Sequence, residues 1–145
     1  SKSNQQLWND LKAMMLEWVA YYVYSNKLPA SNVKWNLDKD IGEIDVLVEG
    51  VERLKLVECK LKPGNLNLHK ECEKIKKKAL RKEKEYNKPV DLEFWFWYEP
   101  SEQDQKVLLE NGISFIVLSS REESELLKSI GLGRIRAIMQ KELFE

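Results

Sequence analysis

Asp45, Glu58 and Lys60 are the side chains of this sequence best placed to do chemistry. They sit in two segments rich in Val, Ile and Leu, residues 42–48 and 54–61, which read as strands. Between them Glu49-Gly50-Val51-Glu52-Arg53 carries the Gly and the charges of a hairpin loop. Side chains alternate along a strand, so Glu58 and Lys60 share one face while Val57 and Cys59 take the other. With a loop of about four residues, antiparallel register sets Asp45 nearly opposite Glu58, with Cβ atoms roughly 4.5–5.5 Å apart. Like charges at that spacing repel. Either Lys60 neutralises the pair as a solvated decoration of the sheet edge, or the pair holds a divalent cation. Hard Mg²⁺ takes oxygen ligands, commonly one or two carboxylates with water and a substrate phosphate.

Other chemistries have less to draw on. His69 is the only histidine, and Cys59 and Cys72 are the only cysteines. That argues against Cys/His zinc sites and histidine-based nucleophilic triads. Both thiols are expected reduced, one in a strand and one on the apolar stripe of a helix. With 145 residues, 43% of them hydrophobic and 33% charged, one folded domain is expected over 1–145. A start without an initiator Met leaves open that it belongs to a longer chain. There is no apolar run of membrane-spanning length and no signal-peptide core at the start, so a cytoplasmic, membrane-free protein is expected.

Lys and Arg number 24 and so do Asp and Glu, so general basicity is not a route to nucleic acid. The distribution is uneven: residues 38–52 hold six acids against Lys39, and residues 70–88 hold nine basic residues against four Glu. An acidic pocket beside a basic ridge suits a metal-assisted enzyme acting on a polyanion; a merely solvated helix face is the plainer alternative.

The elements that must position these groups follow from periodicity. Ser3-Asn4-Gln5-Gln6 offers a capping box for a helix over residues 4–25, with Leu7, Leu11, Met14, Met15, Trp18 and Tyr22 as its apolar stripe. Glu17 lies about 100° from the centre of that stripe. Pro29 breaks the helix, and Val33, Trp35 and Leu37 alternate as a half-buried strand up to an Asp38-Lys39-Asp40 turn. With the two motif strands this makes a meander that stops at Pro63-Gly64. Leu68, Cys72, Ile75, Ala79 and Tyr86 then mark the stripe of a helix of nearly 20 residues, with Lys74, Lys78 and Lys82 forming one ridge beside it. Residues 90–98 form a strand whose continuous Phe94-Trp95-Phe96-Trp97 calls for cover on both faces, as core rather than as a base-stacking surface.

Ser101 caps a helix that Gly112 ends, and residues 113–118 form another strand. Ser120-Arg121-Glu122-Glu123 opens a helix to Ile130. Gly131-Leu132-Gly133 is a turn lacking the Lys of a phosphate-cradling loop. Ile135, Ile138, Met139 and Leu143 mark a last helix with an interface-like face. The sum is an α/β domain with a mixed central sheet flanked by helices.

Asp45 followed by Glu58-Cys59-Lys60 resembles the Asp…(Asp/Glu)-x-Lys signature of the PD-(D/E)XK, or restriction-endonuclease-like, nuclease superfamily, which includes restriction enzymes, archaeal Holliday-junction resolvases and CRISPR-associated effector nucleases. Ile44 stands where the signature is named for Pro. The resemblance covers roughly residues 7–118 and implies a core of helix, three-strand meander, helix and strand. It implies a metal-dependent endonuclease, acting on DNA ahead of RNA, in which Asp45 and Glu58 ligate Mg²⁺ with the main-chain carbonyl of Cys59 and with Glu17. Mn²⁺ would substitute.

By the same resemblance Lys60 contacts the attacking water or the phosphate, and Lys74, Lys78 and Lys82 hold flanking phosphates. Superfamily members commonly act as dimers, so a homodimer is expected. Helices in the position of residues 68–86 often supply a Lys or Gln to the site. No Gln is present here, which sets aside the branch marked by Gln-x-x-x-Tyr. The alternative is a catalytically silent nucleic-acid-binding module with the same fold. A purely structural reading makes the acids a surface cluster.

Overall fold

The computed structural model describes residues 2–28, 32–37, 43–65 and 67–118. Helix α1 (Asn4–Lys27) leads into a meander of β1 (Val33–Leu37), β2 (Ile44–Glu49) and β3 (Leu54–Lys60). A 3₁₀ turn at Pro63–Asn65 precedes α2 (Leu68–Tyr86), β4 (Val90–Phe96), α3 (Glu102–Glu110) and β5 (Ser114–Val117). The strands form one sheet in the order β1-β2-β3-β4-β5. The first three are antiparallel neighbours, whereas β3–β4 and β4–β5 are parallel. This is the mixed α/β sheet that the sequence implies. The Asp38-Lys39-Asp40 turn, the Ser120 capping box, the Gly131-Leu132-Gly133 turn and the last helix around Ile135 lie outside the described residues.

Strand alternation sorts the core into two layers. Val46, Val48, Val57, Trp95 and Trp97 face α1, where they meet Met15, Leu16, Val19, Ala20 and Val23. Leu47, Leu54, Leu56, Phe94 and Phe96 face α2 and α3, against Leu68, Cys72, Ile75, Val107 and Leu108. The aromatic run of β4 is therefore core on both sides, with Phe94 and Phe96 stacked at 5.5 Å between ring centroids. Truncating a buried aromatic of this kind costs about 3–5 kcal/mol.

The α1 cap forms as its sequence implies: Ser3 Oγ accepts from the Gln6 N–H at 3.2 Å, and Gln6 Oε1 accepts from the Ser3 N–H at 2.9 Å. Its buried face does not. Leu7 and Met14 are exposed, and the face turned to the sheet carries Leu16, Val19, Ala20 and Val23, about a third of a turn away from the anticipated stripe. Small and β-branched side chains let the helix lie close on the sheet, while Trp18, Tyr21 and Tyr22 fill its rim. That face also buries Lys12, whose Nζ donates to the Tyr98 hydroxyl at 2.7 Å and lies over the rings of Trp8 and Tyr98.

The β2–β3 loop is the four residues Gly50–Arg53, closed by the Gly50 N–H donating to the Arg53 carbonyl at 2.9 Å. A Cβ at Gly50 would lie 2.7 Å from that same oxygen, so the turn needs glycine. Cys59 and Cys72 are free thiols. Among the described residues no helix is long and apolar enough to cross a membrane.

Candidate active site

The hairpin places the acid pair. Val46 and Val57 are the last pair of the β2–β3 ladder, and Asp45 and Glu58 follow directly beyond it, close enough for their carboxyls to interact. Asp45 is fixed there by the Cys59 main-chain N–H, which donates to its Oδ2 at 2.8 Å. Helix α1 brings Glu17 to the same end of the sheet. Trp35 of β1 donates its Nε1–H to Glu17 Oε1 at 3.3 Å. With its amide turned to donate, Asn36 reaches Glu17 Oε1 at 3.0 Å and Glu43 Oε1 at 2.9 Å. Asn36 has a left-handed backbone, φ 54°, which Asn tolerates better than most residues. It lies between Trp35 and Leu37, whose partners Val46 and Ile44 bracket Asp45.

Crowding of acids at this end shifts them. Burial, then the charge of Asp45, pushes the Glu58 carboxyl up to about 8, against the partial relief of Lys78. Burial and then Asp45 push Glu17 up to about 7, with Glu43 adding to the effect and the Trp35 hydrogen bond opposing it. Asp45 is thus the common neighbour of both carboxyls. The Cys59 thiol is held well above its ordinary value by burial and by the same carboxylates, so it is no nucleophile.

The lysines are distributed differently from the anticipated ridge. Lys60 follows Glu58 on its face of β3, and its Nζ pairs with Glu71 in the first turn of α2 at 3.5 Å. Lys78 crosses from α2 to Glu58, its Nζ donating to Glu58 Oε1 at 2.8 Å and to the Glu43 carbonyl at 2.5 Å. Lys74 is exposed and lies 3.5 Å from Glu71. Lys82 is buried at 1% exposure, bonded to Glu85 at 2.6 Å and set over the Tyr86 ring. The three lysines are thus not one solvent-facing surface. The spacing is right, but Lys82 belongs to the buried stripe of the helix.

Glu17 and Glu58 both lie against Asp45, whereas Lys60, on the same face of β3 as Glu58, is paired with Glu71. Glu43, Asn36, Trp35 and the Glu71 partner of Lys60 were missed by sequence reasoning. Only Glu43 carried a signal, its place in the acid-rich stretch before Asp45. Among the described residues no three His, Cys, Asp or Glu side chains converge as a ready metal cluster. Asp45, Glu58 and the Cys59 carbonyl could hold a metal ion, since carboxylate and carbonyl oxygens are hard ligands of the type Mg²⁺ takes. Glu58 and Glu17, raised first by burial and then by the charge of Asp45, would be relieved of part of that charge by a bound cation.

No protein-family model and no curated protein sequence matches the chain. Among solved structures, it resembles the small subunit of the heterodimeric restriction endonuclease R.BspD6I, with a TM-score of 0.56 and 19% identity, over 90% of this chain and 79% of that one. A likeness that extensive at so low an identity speaks to architecture, and it agrees with the order and pairing of β1–β5: the chain has a restriction-endonuclease-like fold.

Proposed function

We propose that the chain is a metal-dependent nuclease that hydrolyses phosphodiester bonds of nucleic acid, with DNA ahead of RNA as substrate. The observation that carries this is the approach of Glu58 and Glu17 to Asp45 at one end of the sheet, with Lys78 bonded to Glu58. The fold likeness to a restriction endonuclease subunit adds support and favours DNA.

Asp45, Glu58 and the Cys59 carbonyl would hold the cation, Mg²⁺ or Mn²⁺ in its place. When bound, the ion supplies charge stabilisation at the phosphate and a water of lowered pKa. The chain's own residues do the rest. The Cys59 N–H locks the orientation of Asp45, so that the carboxylate does not have to reorganise on binding. Lys60 presents an ammonium to the phosphate or the attacking water, and Glu71 limits its excursion. Glu17, held by Trp35 and shifted to about 7, can accept or return a proton near neutral pH. In this reading the partner is a second copy of the chain, and the protein acts in the cytoplasm.

A second reading has its own support: the Lys78 ammonium on Glu58 neutralises the acid pair internally, as a silent nucleic-acid-binding module would need. Cleavage of labelled single-stranded, duplex and four-way-junction DNA, and of RNA, with Mg²⁺, Mn²⁺ or EDTA separates the two. The nuclease reading expects metal-dependent cutting that is lost in Asp45→Ala and Lys60→Ala. Nucleic-acid binding without cutting, unchanged in Asp45→Ala, would establish the silent module instead.

A further inference from the structure

We propose that Lys78 is a tethered competitor for the cation position on Glu58, so that a divalent ion entering the site must displace its ammonium. The inference rests on the metal reading above and concerns what that ion meets on arrival. Lys74 and Lys82 are answered by Glu71 and Glu85 of their own helix. Lys78 instead leaves α2 for the sheet, where its Nζ donates to a carboxylate oxygen of Glu58 in β3 and to the main-chain oxygen of Glu43, which directly precedes β2.

Both acceptors are hard oxygens, the ligand type of Mg²⁺ and Mn²⁺. The Glu58 side chain is 7% exposed and that of Lys78 22%, so water competes weakly for either partner. A charge-assisted hydrogen bond in such surroundings is strong. An ion that takes Glu58 has to break it.

Displacement has a second effect. The released ammonium stays tethered to α2, where the next anion to arrive is a phosphate of the nucleic acid. Lys78 then changes partner from Glu58 to substrate, and metal binding and nucleic-acid binding strengthen each other.

The test is calorimetric titration of Mn²⁺ into the full chain. Lys78→Met is expected to bind Mn²⁺ about tenfold more tightly than wild type, the factor carried by one charge-assisted hydrogen bond at the low end of its range. Lys78→Arg keeps a cation in place and should stay near wild type. Lys77→Met removes the same charge from the exposed face of α2 and should leave the affinity unchanged, which separates displacement from a general loss of positive charge.

A readout independent of any variant is the reactivity of Lys78 toward acetylation in the wild type, followed by mass spectrometry. Mg²⁺ should raise it. Unchanged Mn²⁺ affinity in Lys78→Met, or acetylation of Lys78 that Mg²⁺ leaves unaltered, would overturn the displacement while wild-type metal binding leaves the nuclease reading standing. Absence of Mn²⁺ binding by wild type and Lys78→Met alike would overturn both.

Discussion

Tyr24 of α1 donates its hydroxyl to Glu93 of β4 at 2.5 Å, joining the first helix to the interior of the sheet. The same buried carboxylate accepts from Trp95 Nε1 at 2.7 Å and from Lys55 Nζ at 3.2 Å. Glu93 is thus an acid answered by three donors, in contrast to the crowded acids around Asp45. Tyr24→Phe removes one donor and should lower stability by about 1 kcal/mol, measured by denaturant unfolding, with metal affinity unchanged. A change in Mn²⁺ affinity in that variant would show that the two acid sites are coupled.

The carboxyls of Glu17 and Glu58 set the pH dependence of the metal-free protein. Their folded values, about 7 and about 8, lie above the ordinary 4.5, so at intermediate pH the folded protein keeps protons that the unfolded chain has released. Stability from this source is complete below about pH 4.5 and is lost as pH rises through about 7 to 8. In EDTA the melting temperature should therefore fall between about pH 5 and about pH 8. Mg²⁺ should restore more of it at the upper end. A melting temperature that rises across this interval in EDTA would show that the acids are not crowded as described.

Glu58→Gln should separate stability from function. It removes a buried charge that burial and Asp45 disfavour, so the metal-free variant should melt higher than wild type at about pH 8, while metal-dependent cleavage falls by at least about 100-fold. Thermal unfolding and single-turnover cleavage, run on the same preparation, check both halves. Loss of stability with retained cutting would contradict the assignment of Glu58.

Gly50→Ala tests the turn that sets the acid pair. Its Cβ would meet the Arg53 carbonyl oxygen at 2.7 Å, a backbone atom that cannot step aside without moving the loop. The expected cost is about 1–3 kcal/mol in denaturant unfolding. Because the loop fixes the β2–β3 register, Mn²⁺ affinity should fall along with stability. Affinity equal to wild type in a destabilised variant would place control of the register elsewhere in the sheet.

Much of this architecture was legible because it follows local rules. The Ser3–Gln6 box, the alternation of Val46 and Val48 with Leu47, and the continuous apolar run of β4 each point to one structure. The Asp45–Glu58 juxtaposition was legible too, since loop length fixes hairpin register. The buried face of α1 was not. That helix carries apolar residues on more than one side, and the face packed on the sheet takes Met15 from the expected stripe together with Leu16, Val19, Ala20 and Val23. Lys82 was misleading for a related reason: it is buried with its ammonium over the Tyr86 ring, a pairing that the ridge spacing does not encode. Glu43 and Asn36 enter the site only through tertiary approach to Glu17.

The change from antiparallel to parallel pairing at β3 bears on the order of assembly. The meander closes through a four-residue loop, whereas β3 cannot meet β4 until the chain has traversed the whole of α2. Short loops close sooner and at lower entropic cost than long crossovers, so the hairpin is expected to form first. At that moment Asp45 and Glu58 already oppose each other, but Lys78 has not yet arrived. The nascent hairpin carries electrostatic frustration that the docking of α2 resolves, and added divalent cation should speed refolding by acting before the lysine can.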